Sequence, residues 1–212
     1  MKITKSKVYI FLLMCLGNLF LGLGVALLRL ADFGTDPYAC MNIGMSSQFG
    51  LSYGTFQLIM NIILFIPVIL IVPNTFGIGA FINLIGIGYI ADFFMWLWSA
   101  FGVTIEGLSG QLIVRLIVVL VGILVLSLGI GLYMECDMGV SPYDAVGLAL
   151  EKLSKGKLKF RWMRVTSDVI CMIVGYFSGG AFGVITIVVA FFNGPLVSWY
   201  RERCAKIIAG LK

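Results

Sequence analysis

Six long apolar segments, separated by short polar stretches, set the pattern of this chain. Each is near the length of about 20 residues that a helix needs to cross a bilayer, although the fifth and sixth are short and would have to extend into their flanks. Two shorter segments, at 37–49 and 142–153, would form helices of about 18–20 Å, which is too short for a full crossing. The pattern therefore predicts six spanning helices and two short ones. The six long segments are 8–29, 55–73, 78–98, 111–133, 164–178 and 181–199.

The same polar motif follows the first and the fourth apolar segments, at an offset of 105 residues. Its members are Asp32, Gly34, Pro37 and Tyr38 in the first copy, and Asp137, Gly139, Pro142 and Tyr143 in the second. We therefore predict an all-α polytopic membrane bundle of two internal repeats, 1–105 (half one) and 106–212 (half two), in one integrated membrane domain. Each repeat would contain about three long transmembrane helices and one short broken or re-entrant helix.

The basic residues lie in short stretches that flank the apolar segments. They cluster at Lys2, Lys5 and Lys7, at 152–164 and at 201–206. Lys and Arg accumulate on the cytoplasmic side of a membrane, so we expect both termini to be cytoplasmic. The entry to half one is basic and the entry to half two is not, whereas the connection after the short segment is basic only in half two. Such alternation favours inverted repeats, with parallel repeats as the alternative.

The composition narrows the class of protein further. Hydrophobic residues make up 60% of the chain and charged residues only 12%, and the mean hydropathy is +1.06. A soluble domain cannot cover its surface with so few charges, so the lipid bilayer is the expected partner. The net charge of +5 comes from the flanking stretches and gives no reason to expect nucleic acid.

The sequence contains no histidine. The commonest metal ligand and the usual near-neutral proton carrier are therefore missing, and serine–histidine chemistry is excluded. We expect no metal, no cofactor and no enzymatic activity. An intramembrane protease with two aspartates is the least favoured reading, because Asp32 and Asp137 would face opposite sides if the repeats are inverted.

Each short segment begins with a helix-start signal. Asp36 precedes Pro37, and Ser141 precedes Pro142; such residues cap a helix N-terminus, and Pro suits the first helical position. A short helix either lies flat at the interface or dips into the membrane. In the second case its N-terminus, with free N–H groups and partial positive charge, is a site for a polar or anionic ligand.

The candidate ligand-binding residues border these helix starts or interrupt the apolar segments. Polar side chains inside a membrane are costly and usually functional. Asn61 and Asp168 occupy matching positions in the two halves, although Asp168 has an alternative role as an ion-pair partner of Arg164. Asp32 and Asp137 would hold the turn, bind a cation or carry a proton, with capping of a surface loop as the alternative. For Tyr38 and Tyr143 the favoured alternative is that they brace the short helices, and for Arg115 it is a position at the membrane interface. The full set is Asp32, Asp137, Tyr38, Tyr143, Pro37, Pro142, Asn61, Asp168, Asp144 and Arg115.

The repeated Gly-x-x-Pro-aromatic motif, together with "GLSYGTFQLI", "GIGYIADFF" and "NGPLVSWY", resembles the YczE/YyaS/YitT family of bacterial membrane proteins. The resemblance extends over about residues 10–200. In that family an Asp often follows the aromatic residue; Asp144 matches this pattern and Ala39 does not, so any role of that Asp carries over to half two alone. The resemblance implies a location in the bacterial plasma membrane and a transport role, without a substrate.

We therefore expect a small-solute transporter whose central polar site is bordered by the two short helices. The expected solute is small and polar or anionic, and a homodimer is left open. The alternative is a membrane sensor, regulator or scaffold that binds without transporting. A cavity that opens to alternate sides would favour transport, and a sealed bundle would favour the alternative.

Overall fold

The computed structural model describes residues 5–108, 110–158 and 160–210, which leaves Lys2 outside the described residues. Over these ranges the regular structure is helical, with nine α-helices and a short 3-10 turn (Pro73–Thr75). In chain order the helices are α1 (Lys5–Ala31), α2 (Pro37–Gln48), α3 (Tyr53–Ile71), α4 (Ile78–Ala100), α5 (Ile105–Leu108), α6 (Leu112–Glu135), α7 (Pro142–Leu153), α8 (Phe160–Phe177) and α9 (Val184–Ala209).

Five helices within the described residues are long and apolar enough to cross a membrane: α1, α3, α4, α6 and α9. The prediction of an all-α bundle with long membrane helices is confirmed to that extent. The sixth predicted span corresponds to α8, which has 18 residues. It is not among the five because it carries three charges, Arg161, Arg164 and Asp168.

Helices α1 and α6 form the centre of the bundle and run antiparallel. Gly17 lies against Tyr133, Gly24 against Leu126, and Gly122 against Leu28. A Cβ atom on Gly24 would lie 2.7 Å from the backbone of Leu126, so the two helix backbones touch. In lipid, where apolar side chains gain little by leaving their solvent, such close backbone packing is what holds helices together.

The remaining helices pack in matching pairs. Helix α4 packs on α1 as α9 packs on α6, and α2 packs on α8 as α7 packs on α3. Helices α1 and α4 run parallel, because Asn83 Nδ2 donates to Asn18 Oδ1 over 2.9 Å in one region and Arg29 pairs with Asp92 nearer the C-terminal ends of both helices.

The two ends of the bundle differ in charge. Met14 of α1 packs with Ile208 of α9, and Lys152 Nζ donates to Ile71 O over 2.6 Å, which brings the ends of α7 and α3 to the same side. We call this the basic end, because it carries the exposed or partly exposed residues Lys7, Lys152, Lys155, Lys157, Arg201, Arg203 and Lys206. At the opposite end, here the far end, Arg29 and Arg115 each pair with an aspartate.

The α1–α6 contact yields a stability prediction. In Gly129→Ala the new Cβ would lie 2.5 Å from Leu21 N, so the helices must separate. We expect a loss of about 1–3 kcal/mol in unfolding free energy, the usual effect of overpacking. The measurement is unfolding of the detergent-purified protein by heat or denaturant.

Gly86→Ala is the matched control, because its Cβ would meet only Ile90 Cδ1, at 3.6 Å. Replacing Gly by Ala in a helix is otherwise stabilising, so the control should be neutral or slightly more stable. Equal effects of the two substitutions would contradict the packing argument.

Candidate functional site where the short helices meet

Both short helices start as their sequences predict. Asp36 Oδ1 accepts a hydrogen bond from Ala39 N over 3.0 Å, and Ser141 Oγ accepts one from Asp144 N over 3.1 Å. Pro37 and Pro142 are the first residues of α2 and α7. Each helix thus has one of its free N–H groups capped by its own chain.

The turns that precede these helices are fastened to the other half of the molecule. Ile185 N, in the first turn of α9, donates to Phe33 O over 3.1 Å. Gly79 N, in the first turn of α4, donates to Met138 O over 2.8 Å. Gly34 and Gly139 adopt φ values of 107° and 114°, a region that favours glycine.

The N-termini of α2 and α7 converge in the middle of the bundle. The rings of Tyr38 and Tyr143 stack with centroids 4.2 Å apart and an interplanar angle of 15°. The Tyr38 hydroxyl donates to Asn61 Oδ1 over 2.9 Å, and the Tyr143 hydroxyl donates to Asp168 Oδ1 over 2.7 Å. Asn61 lies more than two turns into α3. The paired positions predicted from the sequence therefore make the same contact in both halves.

Half two carries a charged cluster beside this stack. The Arg164 guanidinium pairs with Asp144 and with Asp168, and it lies 4.5 Å from the centroid of the Tyr143 ring. Asp144 also accepts from Ser141 Oγ over 2.7 Å and from the hydroxyl of Tyr133. The single guanidinium is thus shared between two carboxylates, a geometry that Arg suits because of its several donors.

The corresponding positions of half one hold neutral residues. Ala39 follows Tyr38 where Asp144 follows Tyr143, and Gln57 precedes Asn61 by four residues as Arg164 precedes Asp168. Gln57 is 5% exposed. The two halves therefore share a geometry but differ in charge.

A cavity of about 600 Å³ surrounds the stacked tyrosines, within the size range of small-molecule sites. Its polar lining combines residues of both halves, and its apolar lining includes Leu21, Val25, Ile87 and Leu126. The polar residues that line it are Asp36, Tyr38, Tyr53, Gln57, Asn61, Asn83, Ser141, Tyr143, Asp144, Arg164, Asp168, Asn193, Ser198 and Arg201.

The cavity is open on one side. Its exposed lining residues include Trp162 of α8 and Gly194 and Ser198 of α9; we call this gap between α8 and α9 the mouth. The lining residues from half one are all buried or partly buried.

A polar cluster at the other side, which we call the seal, joins α1, α3 and α4. Arg29 Nη1 lies 2.9 Å from Asp92 Oδ1, and Gly54 N donates to Asp92 Oδ2 over 2.7 Å. The Arg29 guanidinium lies 4.8 Å from the centroid of the Tyr53 ring, which itself lines the cavity. Asp92 therefore ties the N-terminus of α3 to both neighbouring helices.

Six of the ten candidate residues line the cavity: Pro37, Tyr38, Asn61, Tyr143, Asp144 and Asp168. Pro142 is buried at the start of α7 without lining it. Asp32, Asp137 and Arg115 lie elsewhere. Asp32 and Asp137 are exposed and adopt φ values of 56° and 52° in the turns that end α1 and α6.

Arg115 closes the C-terminal end of α1 rather than bordering the cavity. Its Nε donates to Ala31 O over 2.7 Å and its Nη2 donates to Asp32 O over 2.8 Å. A cationic side chain at the C-terminal end of a helix donates to free carbonyl groups and interacts favourably with the helix dipole. Asp137 lies in a separate surface depression beside the start of α4.

Sequence reasoning missed several polar residues of the cavity, among them Asp36, Arg164 and Gln57. The sequence predicts Asp36 only as the cap of a helix and Arg164 only as an ion-pair partner of Asp168, and it assigns no role to Gln57. A signal existed for the last two, because each lies one helical turn before a residue that was identified, and so on the same helix face.

The fold and this site define a polytopic membrane protein with a central, partly polar cavity. The chain belongs to the family described as "Family of unknown function (DUF6198)", which it matches over residues 8–202.

Three curated relatives match most of the chain. The "Uncharacterized protein YyaS" of Bacillus subtilis is 27% identical over 186 residues, 86% of this chain and 87% of the relative. The "Uncharacterized membrane protein YczE" of the same organism is 25% identical over 193 residues, 91% of this chain and 85% of the relative. An "Uncharacterized protein" of Haemophilus influenzae is 25% identical over 191 residues, 88% of this chain and 81% of the relative. The predicted relationship to YczE and YyaS is confirmed, and no solved structure matches the chain.

The charged cluster yields a second prediction. Arg164→Gln leaves Asp144 and Asp168 without their cation, which should lower the unfolding free energy by about 3 kcal/mol, the low end for a broken buried pair. The low end applies because the Arg164 side chain is 32% exposed. The triple variant with Asp144→Ala and Asp168→Asn copies the neutral residues of half one and should recover most of that loss. A triple variant as unstable as the single one would contradict the proposed equivalence of the two sets.

Proposed function

We propose that this protein is a small-solute transporter of a bacterial plasma membrane, built of two inverted repeats, 1–105 and 106–212. Its substrate site would be the central cavity at the stacked Tyr38 and Tyr143. The alternative is a sensor, regulator or scaffold that binds a solute without moving it.

The observation that carries the proposal is the convergence of two short-helix N-termini on one cavity. Pro37 and Tyr38 of α2 and Tyr143 of α7 all line it. Secondary transporters commonly place broken helices from two related halves around a site near the middle of the membrane. An interfacial scaffold has no need of such a cavity.

The antiparallel contact of α1 and α6 supports inversion of the repeats. Gly24 packs on Leu126, and its counterpart Gly129 packs on Leu21, the counterpart of Leu126. Each contact thus has a counterpart in which the two halves are interchanged, as a two-fold axis between the halves requires. The backbone hydrogen bonds that Phe33 O and Met138 O accept from the opposite half form such a pair as well.

Helices α3 and α4 pack more closely than α8 and α9 do, and this difference supports a transport cycle. Gly54 and Gly88 bring α3 and α4 into backbone contact beside the seal, whereas the mouth separates α8 from α9. In an inverted-repeat transporter the two halves exchange such conformations, which closes one side and opens the other. The seal and the mouth would then be the two gates.

The charge distribution supports an orientation with both termini in the cytoplasm. The basic end holds the exposed Lys and Arg residues, and such residues favour the cytoplasmic side. The mouth includes Trp162, near the start of α8, and Arg201, near the end of α9. It therefore extends towards the basic end, and the conformation would be inward-facing.

Transport is tested by comparing metabolite uptake into liposomes with and without the reconstituted protein, using an extract of small bacterial metabolites. We expect at least one polar metabolite to enter in a protein-dependent manner. Ser198→Trp, which narrows the mouth, should slow that uptake several-fold. Ser99→Trp, at another exposed site, on α4 and away from the cavity lining, should not.

The same experiment separates the two candidate functions. Protein-dependent uptake that Ser198→Trp slows would exclude a sensor that only binds. Binding of a metabolite to the purified protein without any uptake would favour the sensor and contradict transport.

The seal yields a further prediction. The substitution Asp92→Asn removes the negative charge that pairs with Arg29 and weakens the hydrogen bond from Gly54 N. It should therefore favour opening at the far end. The probe is a cysteine at Val25, which is 2% exposed and lines the cavity, in a variant whose five native cysteines are replaced. A membrane-impermeant maleimide added outside should label it faster when Asp92→Asn is present.

Glu135→Gln is the matched control, because Glu135 pairs with Arg201 at the basic end. It should leave outside labelling unchanged. Labelling that reaches Val25→Cys equally from outside in the presence and absence of Asp92→Asn would contradict the role of the seal.

A further inference from the structure

One carboxylate in the cavity wall has no cation. Three carboxylates line the cavity, at Asp36, Asp144 and Asp168, and the last two share Arg164. Asp36 makes no ion pair with any described residue. Its Oδ1 accepts from Ala39 N, and its Oδ2 is buried without a hydrogen-bond partner among the described residues.

A buried carboxylate oxygen without a donor is unfavourable when charged. Removing a charge from water without pairing it costs several kcal/mol, and such groups take the neutral form instead. The bond from Ala39 N and the positive end of α2 act in the other direction and favour the anion. Burial therefore favours the neutral form of Asp36, whereas the hydrogen bond and the helix dipole favour the anion. Neither form is strongly preferred, which suits reversible proton binding.

The surroundings of Asp36 favour a proton over a metal ion. Calcium needs several oxygen ligands around one point, and no group of three or more His, Cys, Asp or Glu residues suited to a metal occurs in the described part of the chain. Oδ2 is also fully buried, so a hydrated cation cannot reach it without rearrangement. A proton needs one oxygen and no space.

Among the described titratable and charged groups that face Asp36, none is a second carboxylate without a cation. The tyrosines and thiols around it are neutral at ordinary pH, and the Asp168 carboxylate is held by Arg164 and the Tyr143 hydroxyl. These groups are Tyr38 and Cys40 on α2, Tyr53 on α3, and Arg164, Asp168 and Cys171 on α8.

We infer that the Asp36 carboxyl group is a proton-binding site of the cavity and that, in the transport cycle proposed above, its proton crosses the membrane with the solute. Asp36 takes a proton from water on the side to which the cavity is open, forming one O–H bond. It returns that proton to water on the other side after the gates exchange. The corresponding residue of half two is Ser141, which cannot titrate, so the proton-binding cap is present in half one alone.

The first test measures protonation directly and needs no substrate. The infrared carbonyl-stretch band of a protonated carboxyl group, recorded on the purified protein as the pH is lowered from neutral to mildly acidic, should be weaker in Asp36→Asn and in Asp36→Ser. Both replacements still cap α2, and Ser reproduces the cap that half two uses. Asp137→Asn, which removes an exposed carboxylate, should leave the band unchanged.

The second test places the same variants in liposomes with the metabolite extract under an imposed proton gradient. The unmodified protein should accumulate its solute above the outside concentration. Asp36→Asn should equilibrate the solute without accumulating it. A sodium gradient without a proton gradient should drive no accumulation.

The two tests distinguish a failure of the proton-binding proposal from a failure of the transport proposal. A carboxyl band that persists in both Asp36 variants, or accumulation that follows sodium instead of protons, overturns the inference while leaving transport intact. An Asp36-dependent band without any solute uptake supports proton binding at Asp36 and overturns the proposed transport.

Discussion

The contact between α1 and α6 is the constraint from which the rest of the structure follows. In lipid the two helices gain little from burying apolar side chains, so Gly17, Gly24 and Gly129 provide the close approach that holds them. Because the helices are antiparallel, their C-terminal turns fall at opposite ends of the bundle. Each turn is then fastened by backbone hydrogen bonds to the helix that starts beside it in the other half. The two short helices consequently enter from opposite sides, and their N-termini can meet only at the centre.

That shared geometry holds two different electrostatic environments. The Ala39, Gln57 and Asn61 positions of half one correspond to Asp144, Arg164 and Asp168 of half two. The neutral set is buried, and it brings no charge that must be compensated. The charged set lies on the side of the mouth, where the Arg164 side chain remains 32% exposed. Burial of ions is less costly when part of their hydration is kept, so the position of the charges agrees with the side on which the cavity is open.

Much of this arrangement could be predicted from sequence because it depends on local signals. The starts of α2 and α7 follow from a capping residue before proline, and the correspondence of Asn61 to Asp168 follows from the predicted repeat. The sequence could not tell which aspartate of "ADFGTDP" faces inwards. Asp32 ends a helix in a left-handed conformation and points to solvent, whereas Asp36 is drawn into the cavity by the turn at Gly34. That choice depends on contacts with α9, which lies more than 140 residues further along the chain.

The difference between the two helix caps has a consequence for coupling under the proposed mechanism. A symmetric pair of titratable caps would place two like charges at the stacked tyrosines whenever both lost their protons, and each would raise the cost of ionising the other. With Asp36 in half one and Ser141 in half two, the two caps contribute one titratable group to the centre, and the neighbouring Asp168 carboxylate is paired with Arg164. Asp144 is already engaged, since Arg164 pairs with it and the hydroxyls of Ser141 and Tyr133 donate to it. The departure from symmetry at the caps is therefore what would allow a two-fold scaffold to bind a single proton.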